Sequence, residues 1–205
     1  IIKTKKGKYG STVWMLENGI RVVVLPTTDS PYQIVMNGQA SGGLSMIPTE
    51  DYYSVSMLAQ VVSASGVGDF TAEQLRKVLG SKVVNIQPTI NRFSTDINGS
   101  AAKGDVETML QLTYLYFTRP NFDRGRLDMI IEANRINLEN SVNSPDFVMT
   151  QMVNKITYGD QQRTRIPDEQ ILAGIDCGKI SSWYRNLFTD AAGNYTFYFC
   201  WQVAR

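Results

Sequence analysis

One kind of reactive side chain is missing from this sequence: none of its 205 residues is histidine. Histidine is the usual nitrogen ligand of zinc and the usual acid or base near neutral pH. Serine and cysteine triads and the common zinc hydrolase sites therefore cannot be completed within the chain. What is left is carboxylate chemistry. Asp96, Asp105 and Glu107 form the densest acidic group in the middle of the sequence, and Glu132 and Glu139 lie one helical heptad apart. A calcium site would need several such oxygens converging on one point, and a carboxylate hydrolase would need two acids facing each other across a cleft. The bland reading makes Asp105 a helix cap, Glu107 a first-turn acid and the two later glutamates solvated. Cys177 and Cys200 are too few and too far apart to form a disulfide framework. We read them as a buried thiol pair, with a disulfide as the alternative.

These residues must be positioned by recognisable elements. The stretch EDYYSVSMLAQVVSASGVG, residues 50–68, carries apolar residues at Val55, Met57, Leu58, Val61 and Val62. That spacing predicts one helix with a buried stripe, capped by Thr49 or Asp51 and stopped by Gly66 and Gly68. Before it, residues 11–16 and 20–26 read as strands joined at Asn18-Gly19, followed by a loop at TTDSP and a third strand in YQIVMNGQAS. Gly42-Gly43 marks a bulge or a close backbone approach. After it come a short helix at 71–80, extended segments at 82–90 and 91–100, and an apolar helix from Asp105 to Pro120. A long helical pattern follows over 123–140, then a helix with Pro145 in its first turn, a loop at 159–167, a helix over 179–188 and a strand over 194–203. Tyr52 and Tyr53 precede the first helix and Phe93 falls in a strand, where they pack on the sheet or line a surface that holds an extended peptide.

Strands, helices, strands, helices and a last strand make an α+β chain, a mostly antiparallel sheet with helices on one face. Its length and 43% hydrophobic content suit one generous domain. No strand feeds a G-x-G-x-x-G turn, so a dinucleotide-binding unit is not expected. The net charge is +1, and the one basic cluster, Lys3, Lys5, Lys6 and Lys8, reads as a solvated strand or a segment that continues from something upstream, so no nucleic-acid partner is expected. No apolar run reaches membrane-spanning length and no signal-peptide pattern opens the chain. The start at Ile1 suggests a fragment or a processed product.

Taken in order, VWMLENGIRVVVLPT at 13–27, QASGGLSM at 39–46, the helix at 50–65 with GVGDFTAEQLRKVLGSK, NRFSTDINGSAAKGDVETMLQLTYLYFTRPNFD at 91–123, LENSVNSPD at 138–146 and the terminal FTDAAGNYTFYF resemble one domain of the insulinase/pitrilysin family of zinc peptidases. The resemblance implies a LuxS/MPP-like metallohydrolase fold. Active members carry H-x-x-E-H on the helix that corresponds to residues 50–65. There, histidines at i and i+4 bind zinc from one face and the glutamate activates a metal-bound water. The matching stretch here is MLAQV, with Met57 and Val61 at the histidine places and Gln60 at the glutamate place. The downstream glutamate ligand falls at Asn137, with Glu132 and Glu139 as shifted counterparts.

The resemblance therefore implies a non-catalytic domain over residues 1–205, with no metal or cofactor of its own, from the second half of a multidomain protein. Zinc would sit in an upstream catalytic domain of the parent. The implied partners are the catalytic and sister domains, or a homologous subunit, and a peptide substrate; the implied location is the bacterial periplasm or cell envelope. A standalone peptide-binding or interaction module and a carboxylate-based hydrolase are the alternatives.

Overall fold

The computed structural model describes residues 1–27, 32–159 and 161–202. The expected loop at 27–31 and the end of the last strand at Val203 fall largely outside them. Among the described residues seven strands form one sheet: β1 (Lys3–Lys6), β2 (Thr12–Met15), β3 (Arg21–Thr27), β4 (Gln33–Ser41), β5 (Val84–Ile90), β6 (Ser94–Ala102) and β7 (Thr196–Gln202). Their spatial order is β1-β2-β3-β7-β4-β6-β5, and every neighbouring pair is antiparallel except β3 and β7. The last strand thus enters the middle of the sheet, between two strands from the start of the chain. Both edges are guarded against further strand pairing: exposed lysines line β1, and Pro88 interrupts the donor row of β5.

Helices α1 (Tyr52–Ser56), α2 (Leu58–Ser65), α3 (Ala72–Val78), α4 (Val106–Thr118), α5 (Arg124–Ser141), α6 (Pro145–Tyr158), α7 (Glu169–Ala173) and α8 (Cys177–Tyr184) complete the chain. Alternation along β4 and β6 sends Met36, Gly38, Ala40, Thr95, Ile97, Gly99 and Ala101 inward under the helices. There they meet Val55, Leu58, Val61, Val62, Met109, Ile180 and Tyr184 in one core. Tyr184 stacks on Phe188 at 4.4 Å between ring centroids, and Phe117 meets Tyr195 edge-on at 4.9 Å. Two buried hydroxyls in this aromatic group have partners: Tyr184 donates to the Tyr116 carbonyl at 2.9 Å, and Tyr195 bonds the Thr95 hydroxyl at 3.0 Å. Burial holds both phenols in their neutral form by pushing their pKa values up.

The element order and the α+β class agree with the sequence reading, and several local expectations do not. Residues 50–65 are two helices with Met57 between them, not one. The segment expected to be helical over 179–188 begins at Cys177 and passes after Tyr184 into a π-helical turn, Arg185–Thr189. The short helix α7 carries too few apolar positions to announce itself. Tyr52 and Tyr53 lie inside α1, not before it, and Phe93 lies in the turn between β5 and β6, 69% exposed, not in a strand. The cysteines are half-buried free thiols, not a buried pair. Cys177 packs against the core, while Cys200 alternates with Phe197 and Phe199 and faces the opposite side of the sheet. Burial pushes the Cys177 thiol pKa up, with Asp176 adding to the effect.

Candidate functional site

The helix pair α1–α2 is where sequence reasoning put the degenerate site, and its geometry follows from its anchors. Asp51 stands at the N-cap position of α1, yet its side chain caps nothing. The carboxylate instead accepts from the Trp183 indole N–H at 2.8 Å and pairs with the Lys179 ammonium at 2.7 Å, tying α1 to α8. These bonds, Lys179 first and Trp183 second, hold the Asp51 pKa below the usual carboxylate range. Tyr53 donates its hydroxyl to the carbonyls of Gln162 and Arg165, so it ties the helix to the loop before α7. Ser54 accepts from the Asp176 N–H at 3.1 Å. At Met57 the backbone tightens to a Ser54 carbonyl bond of 3.2 Å, then resumes helical bonding from Val61 to Met57 at 3.0 Å. Gly66 ends α2 with φ of +86°, and Ser65 reaches back to the Val61 carbonyl at 2.7 Å.

The three motif positions go to three environments. Val61 is 0% exposed in the core, Met57 is half-buried at the break, and Gln60 faces solvent with Ser56 and Ser63. Asn137 lies exposed on α5, its carbonyl taken by the Ser141 hydroxyl at 2.7 Å. α2 packs against α5, and the side chains at these four positions do not make a zinc site. An aliphatic group, an amide and a thioether offer no ligand set for Zn²⁺. Among the described residues no group of three or more His, Cys, Asp or Glu side chains is placed to hold a metal ion.

The carboxylate pairs fare no better as a hydrolase. Asp96 lies near the start of β6 and Asp105 beyond its end, separated by roughly 20 Å or more at strand rise, against the ~5–9.5 Å such chemistry uses. Asp105 is not the side-chain cap we expected: it accepts from the Val83 N–H at 2.9 Å and pairs with Lys82 at 3.0 Å, and the Val83 bond, ahead of the Lys82 contact, lowers its pKa. Asp96 is buried, with one oxygen bound by Asn91 and by the Ser94 hydroxyl. Glu132 pairs with Arg135, which also holds Glu169 of α7 at 2.9 Å. These acids stitch elements together. Sequence reasoning missed the Asp51–Lys179–Trp183 tie and the loop-anchoring role of Tyr53, because both join residues more than 100 positions apart.

No family model matches the chain. It is 25% identical over 97 residues to "Probable zinc protease PqqL" of Haemophilus influenzae, covering 47% of this chain and 10% of that protein. It is 23% identical over 182 residues to "Zinc protease PQQL-like" of Arabidopsis thaliana, covering 88% of this chain and 16% of that protein. The chain therefore spans a small fraction of the length of both. Among solved structures, the periplasmic protease PqqL of Escherichia coli superposes over 100% of this chain and 22% of its own, with a TM-score of 0.85 and 20% identity. The first half of the same protease superposes over 98% of this chain and 44% of its own, with a TM-score of 0.73 and 11% identity. A peptidase M16 inactive domain from Pseudomonas fluorescens covers 95% of this chain and 47% of its own, with a TM-score of 0.68 and 14% identity. By fold the chain is thus a unit of the kind found in PqqL and in the peptidase M16 inactive domain, and in sequence it is similar over 88% of its length to one protein named as a zinc protease and over 47% to another.

Proposed function

We propose that residues 1–205 are a non-catalytic structural domain of a longer zinc metallopeptidase, one that helps enclose a peptide substrate while the zinc-bound water is held elsewhere. The observation that carries this reading is the motif helix. The resemblance matches it to a zinc-binding helix, and it packs against the long helix α5, but it presents Met57, Gln60, Val61 and, on α5, Asn137. We take these four as the counterparts of the two histidines, the general base and the downstream ligand.

Two facts about the relatives support a place in the second half of the parent. The likeness to whole PqqL, with a TM-score of 0.85, is greater than that to its first half, with 0.73, which supports a counterpart in the second half. The first half also holds about two lengths of this chain, which fits a polypeptide built from repeated units of one fold. The proposed partners are accordingly a catalytic domain and sister domains of like fold. A periplasmic or envelope location rests on the likeness to PqqL, a periplasmic protease, alone. None of the described helices is long and apolar enough to cross a membrane.

The test is elemental analysis of the purified chain together with reading of the gene that encodes it. The expected result is no stoichiometric zinc in the chain and an H-x-x-E-H helix encoded upstream. One zinc per chain, or peptide cleavage by the chain alone, would overturn the reading. The triple variant Met57→His, Gln60→Glu, Val61→His is expected to remain without stoichiometric zinc and to lose stability, because position 61 has no access to solvent.

A further inference from the structure

On the face of the sheet turned away from the helices, Val13 of β2 stands opposite Val23 of β3, and Val23 opposite Tyr198 of β7; one row on, Leu25 stands opposite Cys200. These five side chains floor a hollow of about 320 Å³. Its wall is the turn from Gly7 to Ser11 that joins β1 to β2. The Gly7 N–H donates to the Ser11 carbonyl at 2.7 Å, and the Lys8 carbonyl accepts both the Ser11 N–H at 3.0 Å and the Ser11 hydroxyl at 2.7 Å. Between them Tyr9, 91% exposed, is held in the left-handed region with φ of +56°, the one non-glycine residue so placed among those described. That conformation is costly for a residue with a Cβ and persists because the surrounding bonds over-determine it. The charge beside the hollow has one sign. Lys8 lines it, and Lys5 of β1 stands directly opposite Val13, about 5 Å away on the same face. Neither ammonium has an ion-pair partner among the described residues.

An apolar floor beside an ammonium selects a ligand of two parts. A bare anion stays in water, because the floor offers nothing to replace its hydration. An apolar group enters, and its charge remains at the mouth. In the last residue of a peptide the side chain and the carboxylate leave the same Cα, so both fit one small hollow. An internal residue carries neutral amides there, and a free amino acid brings an ammonium that Lys8 repels. The volume lies at the small end for ligand sites, which suits one aliphatic side chain rather than a long acyl chain. We propose that the hollow under the Gly7–Ser11 turn binds the C-terminal residue of a peptide, its aliphatic side chain on Val13, Val23, Leu25 and Cys200 and its carboxylate at Lys8 and Lys5. The site is independent of the peptidase reading, since it uses no residue of the motif helix or of α5.

The test titrates the 205-residue chain, isotope-labelled for NMR, with acetyl-Gly-Gly-Leu and with the same peptide ending in an amide, and follows the backbone amide shifts of Val13, Val23 and Tyr198. The free acid is expected to saturate these shifts with a Kd of about 1 mM, and the amide to bind about fivefold more weakly. In the double variant Lys5→Gln, Lys8→Gln, at two exposed positions, the preference for the acid should fall below about twofold while the rest of the spectrum overlays that of wild type. Equal affinity for acid and amide, no shift at about 10 mM, or a preference that survives the double variant would overturn the proposal. Decanoate tests the other source of an apolar carboxylate and is expected to bind no more tightly than the peptide. Binding more than about tenfold tighter would overturn the proposal, because the occupant would then be a lipid.

Discussion

Asp51 shows how a residue read as a cap becomes a long-range anchor. Its carboxylate sits where an N-cap side chain would, but the indole of Trp183 and the ammonium of Lys179 offer stronger, charge-assisted partners than the backbone does. The sign of the pH effect follows. The Asp51 pKa is lowered by folding, so its contribution is present above the unfolded carboxylate value of about 3.9 and is lost as pH falls through the lower folded value. Lys179 is raised by the same contact, so its share is present below its unfolded value of about 10.4 and fades as pH rises through the folded one. Urea unfolding between pH 2 and 7 should show wild type losing stability toward the acid end, and Asp51→Asn should lack that part of the slope. Identical slopes in the two proteins would remove this role. Val61 carries the complementary lesson: its type excludes zinc from the sequence alone, whereas its complete burial was visible only as one apolar position in a stripe.

At the scale of elements, the turn after the motif helix is the most demanding local geometry. Gly66 holds φ at +86°, and a Cβ there would press on the backbone of Thr71 and Ala72. Gly66→Ala should therefore cost about 2 kcal/mol or more, read as a drop in urea midpoint without a change in slope. Just beyond, Thr71 and Gln74 close a reciprocal capping box that starts α3. The glycine stop and the start of a short helix at residue 71 were legible, because such signals act over a few residues, whereas the reciprocal box was not read. The break at Met57 was not. Apolar spacing at three and four residues is satisfied equally by one helix or by two in near register, and the choice depends on the pull of Asp51, Tyr53 and Ser54 on partners from α8 and the loop before α7.

For the molecule as a whole, the outer helices pose the question of what surrounds it. α6 buries none of its residues, and Met149, Met152 and Ile156 are 62%, 58% and 83% exposed along one side. Such a surface on an isolated chain favours association. Replacing these three with glutamate should lower self-association in sedimentation velocity while shifting the unfolding free energy by no more than about 0.5 kcal/mol. A large loss of stability would instead mean that α6 is packed in the free chain. The sequence by itself determined the composition of the chemistry, no histidine and no ligand set at the motif helix, together with the element order, the turns and the α+β class. These depend on residue type and on spacings of a few positions. Only the tertiary structure decided that β7 would enter the middle of the sheet in parallel with β3 and that Val61 and Gln60 would face opposite environments. Those outcomes depend on contacts between elements far apart in the sequence, whose partners no local pattern names.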